Sequence, residues 1–525
     1  MNNNFGRSSS IFPIISEPIH SVQSSSTTES ESTPPRIILS KSEQWKQWKY
    51  LSPSRWSSPE ICSLSSSTTL THQDNHHKSN TDEESSVDEP SKADTNEDEK
   101  TKRKALVTIC RALMLYGAPC HRIEEALEYT SEFLSVHASF IFIPGIMMMT
   151  LFDTPLEEKN ELEQDYHYGM SQTVLIRCPQ GFDMGKLTQV NDVIQNICTE
   201  DENSDKKISA QKSIELLEQL FSTKPTWNPW VTLFSHMMSS LLTAPVMFNG
   251  SLLDTALSGG LGLLIGLLIL LSERYTAYCN VFEISTTILV SFITKALDKW
   301  VCFTGVVLSA TCILIPGYTL TMSIMELSAR HVITGTIRFV YSMIYALFIG
   351  YGLEIGTSLY EAVDPKSTTS DFGVCSGSVP AWLYTALFPF MAVSIAINLG
   401  APVRQWPSMV CCSAIGFGVS VITSKVISSY QIVGTISAFA VGIFGNLYFK
   451  VTGDLALIPL SCGIVSLVPG SVGIQGAYFM IRQDDQGSSF ATQMVIASLG
   501  ISVGLFAATL AVTSKERKKC SYLSY

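Results

Sequence analysis

The stretch "CILIPGYTLTMSIMELSARH", Cys312 to His331, decides how the rest of the chain is read. It begins as an apolar run, breaks at Pro316-Gly317, and ends with Glu326 and Arg330 one helical turn apart. Proline removes an amide donor and disfavours helix at the residue before it, while glycine tolerates unusual backbone angles. Backbone groups freed at membrane depth survive only where protein or a polar cavity satisfies them. The pattern returns in "GIVSLVPGSVGIQGAYFM" from Gly463, where Pro469-Gly470 lies about 153 residues after the first break. A kink or a helix end at the membrane surface explains one such break. Two at matched positions predict a duplicated unit.

Around the breaks, Trp230 to Thr513 holds about ten apolar runs near bilayer-spanning length. They centre on residues 230–248, 252–271, 280–297, 301–318, 332–352, 381–398, 409–423, 432–449, 455–468 and 491–513. One to three of them are short enough to be re-entrant. The same shift carries the five runs of a first repeat, 230–356, onto the five of a second, 381–513, with a connecting loop at 357–380. An odd number of spans per repeat turns the second upside down relative to the first. The fold class that follows is a polytopic α-helical membrane protein. It has about ten transmembrane helices in two inverted five-helix repeats, preceded by a small α+β cytosolic domain and a disordered N-terminal tail.

Composition divides the chain the same way. Its 525 residues are 46% hydrophobic with mean hydropathy +0.22 and net charge −11. Trp230 to Thr513 carries 12 acidic and 10 basic residues, so most of the negative charge lies before it. No basic stripe exists to meet phosphates, which argues against a nucleic-acid partner. The 13 cysteines show no CxxC pair and no His cluster at metal-ligand spacing, so neither a disulfide framework nor a metal site is indicated. Those in apolar runs (Cys302, Cys312, Cys411, Cys412, Cys462) read as small hydrophobes. Cys520, behind the basic "KERKK" of the 514–525 tail, is a candidate for palmitoylation.

Residues 1–100 are rich in Ser and Thr, poor in apolar residues and acidic towards the end, the composition of a disordered tail. They contain no basic start followed by an apolar core, so no secretory signal is expected. From 101 to 225 the pattern is that of a compact α+β domain. Helices are expected in "RKALVTICRALMLYG" and from Pro119 in "PCHRIEEALEYTSEFLSVH", strands in "ASFIFIPGIMMMTLF" and "SQTVLIRCP", and two helices after them. With this domain inside the cell, the cytosolic loops carry Arg274, Arg330, Arg404, Lys450 and "KERKK", against Lys299, Lys366, Lys425 and Arg482 outside. Both termini are placed in the cytosol, in a plasma or vacuolar membrane.

The stretches "ILIPGYTLTMSIMELSARHVITGTIRF" and "GNLYFKVTGDLALIPLSCGIVSLVPG" resemble the two signatures of the bacterial threonine/serine exporter family. "YGAPCHRIEEALEYTSEFL" and "FIPGIMMMTL" resemble its cytosolic amino-terminal module, so the likeness runs from about Lys102 to Val512. Fused halves behind a Ser-rich tail are similar to the fungal branch, the pheromone-regulated membrane protein ten group. The resemblance implies export of threonine and serine, driven by the proton gradient in bacterial members. The matching positions are Pro316, Gly317, Glu326, Gly335, Arg338, Pro469 and Gly470, with Arg122 and Glu124 in the soluble module. Phe479 stands where an acidic counterpart of Glu326 would fall, so any site is asymmetric.

A small zwitterion needs a positive pole for its carboxylate and an acceptor for its amine. Half-helix N-termini after the two breaks supply the first. Glu326 supplies the second or carries the coupling proton. The plainer alternative makes Glu326 and Arg330 an exposed ion pair on an interfacial helix, worth a few tenths of a kcal/mol. Arg338, inside a predicted span, needs a partner among Glu326, Glu283 and Glu354, or snorkels to the interface. Gln475, Asp254, Glu283, Asn398 and Asn446 are further candidates for the substrate and ion path, each also able merely to satisfy nearby backbone.

"GGLGLLIG" lies inside an apolar span, so Gly262/Gly266 read as a packing face, as do Gly352/Gly356 and Gly500/Gly504. His121, Arg122, Glu124 and Glu125 read as a capped, solvated helix start, and without GxSxG or HExxH no enzyme is expected. The reading is a secondary transporter of small neutral amino acids without cofactor. Its partners are its substrate, protons, the lipid bilayer and, as an open option, further copies of itself. The alternative is a membrane-held regulatory or scaffold protein whose transport core is vestigial.

Overall fold

The computed structural model describes residues 92–152, 171–199, 208–365, 373, 375, 380–468, 470–482 and 490–513. The predicted tail up to residue 91, Pro469, and the basic segment with Cys520 lie outside them.

The α+β domain opens with α1 (Lys92–Leu115), which starts ahead of the boundary expected at 101, and α2 (Cys120–Phe133). Three antiparallel strands follow in the order β1 (Ala138–Ile143), β2 (Ile146–Phe152) and β3 (Ser171–Arg177). Pro144-Gly145 joins the first two, pairing Ile143 with Ile146; glycine supplies the positive φ of 78° that the turn needs. Alternate residues of β2 (Met147, Met149, Leu151) are buried against α1, α2 and α3 (Met184–Ile197) in one hydrophobic cluster. Asp183 caps α3 through the Lys186 amide and Ser209 caps α4 (Ala210–Ser222) through Lys212.

The remainder is a helical bundle, in two runs of matching order. The first comprises α5 (Pro229–Phe248), α6 (Leu252–Arg274), α7 (Phe282–Ala296), α8 (Phe303–Ala310), α9 (Gly317–Ser328) and α10 (Val332–Val363). The second comprises α11 (Ala381–Asn398), α12 (Trp406–Ser424), α13 (Tyr430–Thr452), α14 (Leu457–Leu467), α15 (Gly470–Ile481) and α16 (Phe490–Thr513). A single-turn helix at Thr276–Cys279 precedes α7, and α10 runs past the expected boundary at 356.

Among the described residues seven segments are long and apolar enough to cross a membrane, α14 and α15 counting as one (Leu457–Ile481), and an eighth is gained if α8 and α9, bent by 61°, form one broken span. The expected runs at 280–297 and 381–398 are shorter: α7 has 15 residues, and the apolar part of α11 is Thr385–Asn398.

The packing pattern of one run recurs in the other. In the first run α5 packs on α6, α6 on α8, α7 on α10, and α9 on α10. In the second α11 packs on α12, α12 on α14, α13 on α16, and α15 on α16. The runs interlock reciprocally, α10 with α15 and α16 with α9. The predicted glycine pairs lie at these seams: a Cβ on Gly356 would meet the Ile288 carbonyl at 2.5 Å, and one on Gly504 the Phe439 amide nitrogen at 2.9 Å. Gly262 and Gly266 likewise admit Ser240 and Leu233 of α5.

The cysteines correct one expectation. Cys302 is joined to Cys375 by a disulfide, at the end of the bundle away from the α+β domain, and Cys279 is disulfide-bonded as well. A sequence separation of 73 residues leaves no spacing signal, and an apolar setting made Cys302 look like a simple hydrophobe.

Candidate functional site

The two helix breaks meet. A Cβ on Gly317 would collide with the Val468 side chain and lie 3.2 Å from the Gly470 Cα, while one on Gly470 would collide with Ile315. Only residues without side chains let the two backbones approach so closely. α9 therefore starts at Pro316-Gly317, and α15 at Gly470, from a common point inside the bundle. Next to it the hydroxyls of Tyr318 and Ser461, on α9 and α14, are hydrogen-bonded at 3.2 Å. Pro469, the other half of the second break, is outside the described residues.

Nine residues along α9 lies Glu326, fully buried. Its Oε1 accepts a hydrogen bond from Arg338 of α10 at 2.5 Å. Of the partners proposed for Arg338, the structure selects Glu326. Arg330 is not the ion-pair partner: α9 ends at Ser328, and Arg330 is exposed in the left-handed conformation, φ 71°. The His331 amide donates back to the Glu326 carbonyl, so Arg330 is the left-handed residue of a helix-terminating turn. The chain reverses there, and Gly335 lets α10 fold onto α9; a Cβ on it would meet the Leu327 amide nitrogen at 2.8 Å. That close crossing is what carries Arg338 to Glu326.

The α+β domain completes the pair. Arg338 Nη2 donates to the Gln180 side-chain oxygen, and the guanidinium lies 5.8 Å from the centre of the Phe142 ring. Gln180 belongs to the segment between β3 and α3, whose Phe182 ring packs edge-on against Tyr318 at 5.7 Å. Gly117, at φ 89°, leaves room for this segment: a Cβ there would come within 2.5 Å of the Gly181 carbonyl. Beside it Glu124 accepts the Phe142 amide at 2.9 Å and pairs with His331 Nδ1 at 3.3 Å. Thr334 donates to the Phe142 carbonyl at 3.1 Å.

This corrects the reading of the α2 start as capped and solvated. Pro119 provides no side-chain cap, His121 is 7% exposed, and the helix faces the bundle. Burial, then Arg122, His331 and Arg338, push the His121 imidazole down to about 3. Burial chiefly holds the Glu124 carboxyl above its usual range, against the Phe142 amide and His331, which pull it down. Burial, then the Glu326 carboxylate, raise the Cys120 thiol. A cavity of about 140 Å³ opens alongside, lined by the Arg122–Glu125 pair, His121, His331 and residues of α16.

The other candidates lie apart. Asp254 closes a capping box with Ser251 and accepts the Cys302 amide, which makes it a helix cap. Glu283 stands in the first turn of α7. Asn398 donates to Ser239 between α11 and α5, and Asn446 to Gly442 and Thr509 between α13 and α16. Gln475 is half-buried on α15. Gln180, Phe142, His331, Tyr318 and Ser461 were not singled out by sequence; their partners are far along the chain, and no local pattern marks them.

Two family models match the chain on either side of the join between its halves. The one described as "Putative threonine/serine exporter" covers residues 104–360, and "Threonine/Serine exporter, ThrE" covers 384–511. The chain belongs to the threonine/serine exporter family. Relatives named "Pheromone-regulated membrane protein 10" are similar to it over most of its length. The Kluyveromyces lactis protein is 30% identical over 443 residues, 80% of this chain and 44% of its own. The Saccharomyces cerevisiae protein is 29% identical over 447 residues, 81% and 56%, and the Eremothecium gossypii protein 28% over 442 residues, 80% and 57%. The chain thus spans about half the length of the curated relatives it matches. No solved structure matches it. As a member of this exporter family it is an integral, multi-pass membrane protein, with the apolar helices that requires.

Proposed function

We propose that this member of the threonine/serine exporter family is a secondary transporter that exports small neutral amino acids such as threonine and serine, coupled to the proton gradient. The observation that carries the reading is the meeting of the two breaks at Gly317 and Gly470. Two helix N-termini start there, and the positive end of each helix dipole suits a substrate carboxylate. The Tyr318 and Ser461 hydroxyls add donors and acceptors of the kind a hydroxylated side chain would use.

The reading includes ten spans in two inverted repeats, with α8–α9 and α14–α15 as the broken spans. Support comes from the packing, in which each helix pair of one half has a counterpart in the other at a similar sequence offset. In this reading the α+β domain and both termini lie in the cytosol, the side that then carries Arg274, Arg330, Arg404, Lys450 and the basic "KERKK". Glu326 is the proton carrier in this scheme. As a carboxylate it holds Arg338; protonated, it loses the ionic attraction and frees Arg338 and, with it, Gln180. The α+β domain has no catalytic role.

The test is flux of labelled threonine and serine into liposomes holding the purified chain, with and without a proton gradient. Saturable, gradient-dependent flux is expected, and Glu326→Gln is expected to lose the gradient dependence while remaining folded. Absence of flux of either amino acid in folded protein would favour a regulatory or scaffold role.

A further inference from the structure

α10 is fastened near both ends, each time to the arm that follows a different helix break. Near its start Arg338 pairs with Glu326 of α9. About 16 residues on, some 24 Å along the helix at about 1.5 Å per residue, Glu354 lies 3.6 Å from the Arg482 guanidinium, directly after α15. Arg482 is also 3.9 Å from Glu361, and donates to the Tyr478 hydroxyl at 2.6 Å. Lys295 of α7, its side chain wholly buried, reaches Glu361 at 3.9 Å and Asp298 at 3.4 Å. A lysine is almost never buried this way unless it is paired.

These groups are not needed to seat α10. Gly352 and Gly356 already bring its backbone against α7, and Gly350 against α15. Charges are few in this bundle and costly at membrane depth. Here they concentrate at the two places where a broken arm ends on α10. The signs are reversed between the ends: the arm carries the carboxylate at the α+β end and the guanidinium at the other.

Resting on the transporter reading above, we propose that Arg482, Glu354, Glu361 and Lys295 form the second gate of the path. It lies at the end away from the α+β domain and alternates with the gate made by Glu326, Arg338 and Gln180. α10 is one unbroken helix of 32 residues, so it acts as a rod between the gates. Leaning away from α15 at one end presses it onto α9 at the other. In this structure both sets of ion pairs are formed, which is the state closed at both ends.

The experiment reads access directly, so that it does not depend on which solute moves. Ser461→Cys places a thiol beside the meeting point of the breaks, in the full chain reconstituted in vesicles sorted by orientation. Its labelling by a membrane-impermeant thiosulfonate is followed at residue 461 by mass spectrometry. Arg482→Gln is expected to raise labelling from the far end about fivefold or more and to lower or leave unchanged labelling from the α+β end. Arg338→Gln is expected to do the reverse. The charge exchange Arg482→Glu with Glu354→Arg should restore the parent pattern, and Glu354→Gln serves if Arg482→Gln fails to fold.

Unchanged labelling from the far end, or an equal rise from both ends, would overturn the gate. The expected labelling pattern without any threonine or serine flux would leave the gate standing and remove the proposed substrate. Normal flux with unchanged labelling would remove the gate alone.

Discussion

Arg330 and Arg338 look alike in the sequence, both being arginines close to Glu326, and the structure gives them opposite parts. Arg330 ends a helix at φ 71°, a conformation that costs an L-residue about 1–2 kcal/mol, whereas Arg338 neutralises a buried carboxylate. Arg330→Gly is therefore expected to stabilise the protein by about 1 kcal/mol, and Arg338→Ala to destabilise it by about 3–5 kcal/mol. Melting midpoints that move in opposite directions check this. A midpoint lowered by Arg330→Gly would mean that the arginine makes an interaction of value there. His121 makes the same region sensitive to acid. Its imidazole is depressed to about 3 in the folded chain, so below an unfolded value of about 6.5 the unfolded state takes up the proton first and stability falls. By pH 5 the loss is about 2 kcal/mol, and it continues towards about 3. Glu124, raised by burial, binds its proton more readily when folded and opposes part of this loss in the carboxylate range. Amide exchange of α2 and β1, corrected for intrinsic rates, should quicken from pH 7 to 5 in the parent and much less in His121→Gln. Equal acid sensitivity in both would assign the effect elsewhere.

The long apolar helices were legible because bilayer thickness sets their length, and the glycine pairs because small residues four apart share one helix face. The end of α9 was not legible. A glutamate and an arginine one turn apart imply a continuing helix, but the chain turns at Arg330 and Gly335 decides where α10 crosses. The close crossings predict a contrast between glycines of one type. Gly504 faces the Phe439 amide nitrogen at 2.9 Å and the Ala438 Cβ at 3.0 Å, all backbone or short side chain that cannot move aside, whereas a Cβ on Gly434 would meet none of the described residues within 4 Å. Gly504→Ala should cost about 1–3 kcal/mol through overpacking of α16 on α13. Gly434→Ala should be neutral or stabilise by up to about 1 kcal/mol, the helix preference of alanine. Thermal melting in a single detergent measures both, and equal shifts would deny the glycine seam its role.

At the scale of the molecule the matching order of the two runs of helices could be read from one offset shared by the apolar runs, while the fastening of the α+β domain could not, since its contacts join residues far apart in sequence. The N-terminus of α3 donates the Met184 and Gly185 amides to the Leu399 and Gly400 carbonyls at 3.1 and 3.0 Å. Trp227 donates to the Ala401 carbonyl at 3.0 Å and stacks on Trp406. Apolar packing runs on from the domain core through Met322 and Met325 into the second half of the bundle. Gly400 is the pivot of this seat: it has φ 71°, and a Cβ there would lie 3.0 Å from the Asp183 Cα. Gly400→Ala adds left-handed strain of about 1–2 kcal/mol at the point where two backbones touch. Exchange of the Met184 and Gly185 amides is expected to accelerate about tenfold, with the α3 interior and the bundle unchanged. Because the same domain places Gln180 on Arg338 and Phe182 on Tyr318, the loosened seat should also raise solute leak from its end. Faster exchange at Met184 without added leak would mean that the segment from Gln180 to Phe182 closes the path by its own contacts, independently of the seat.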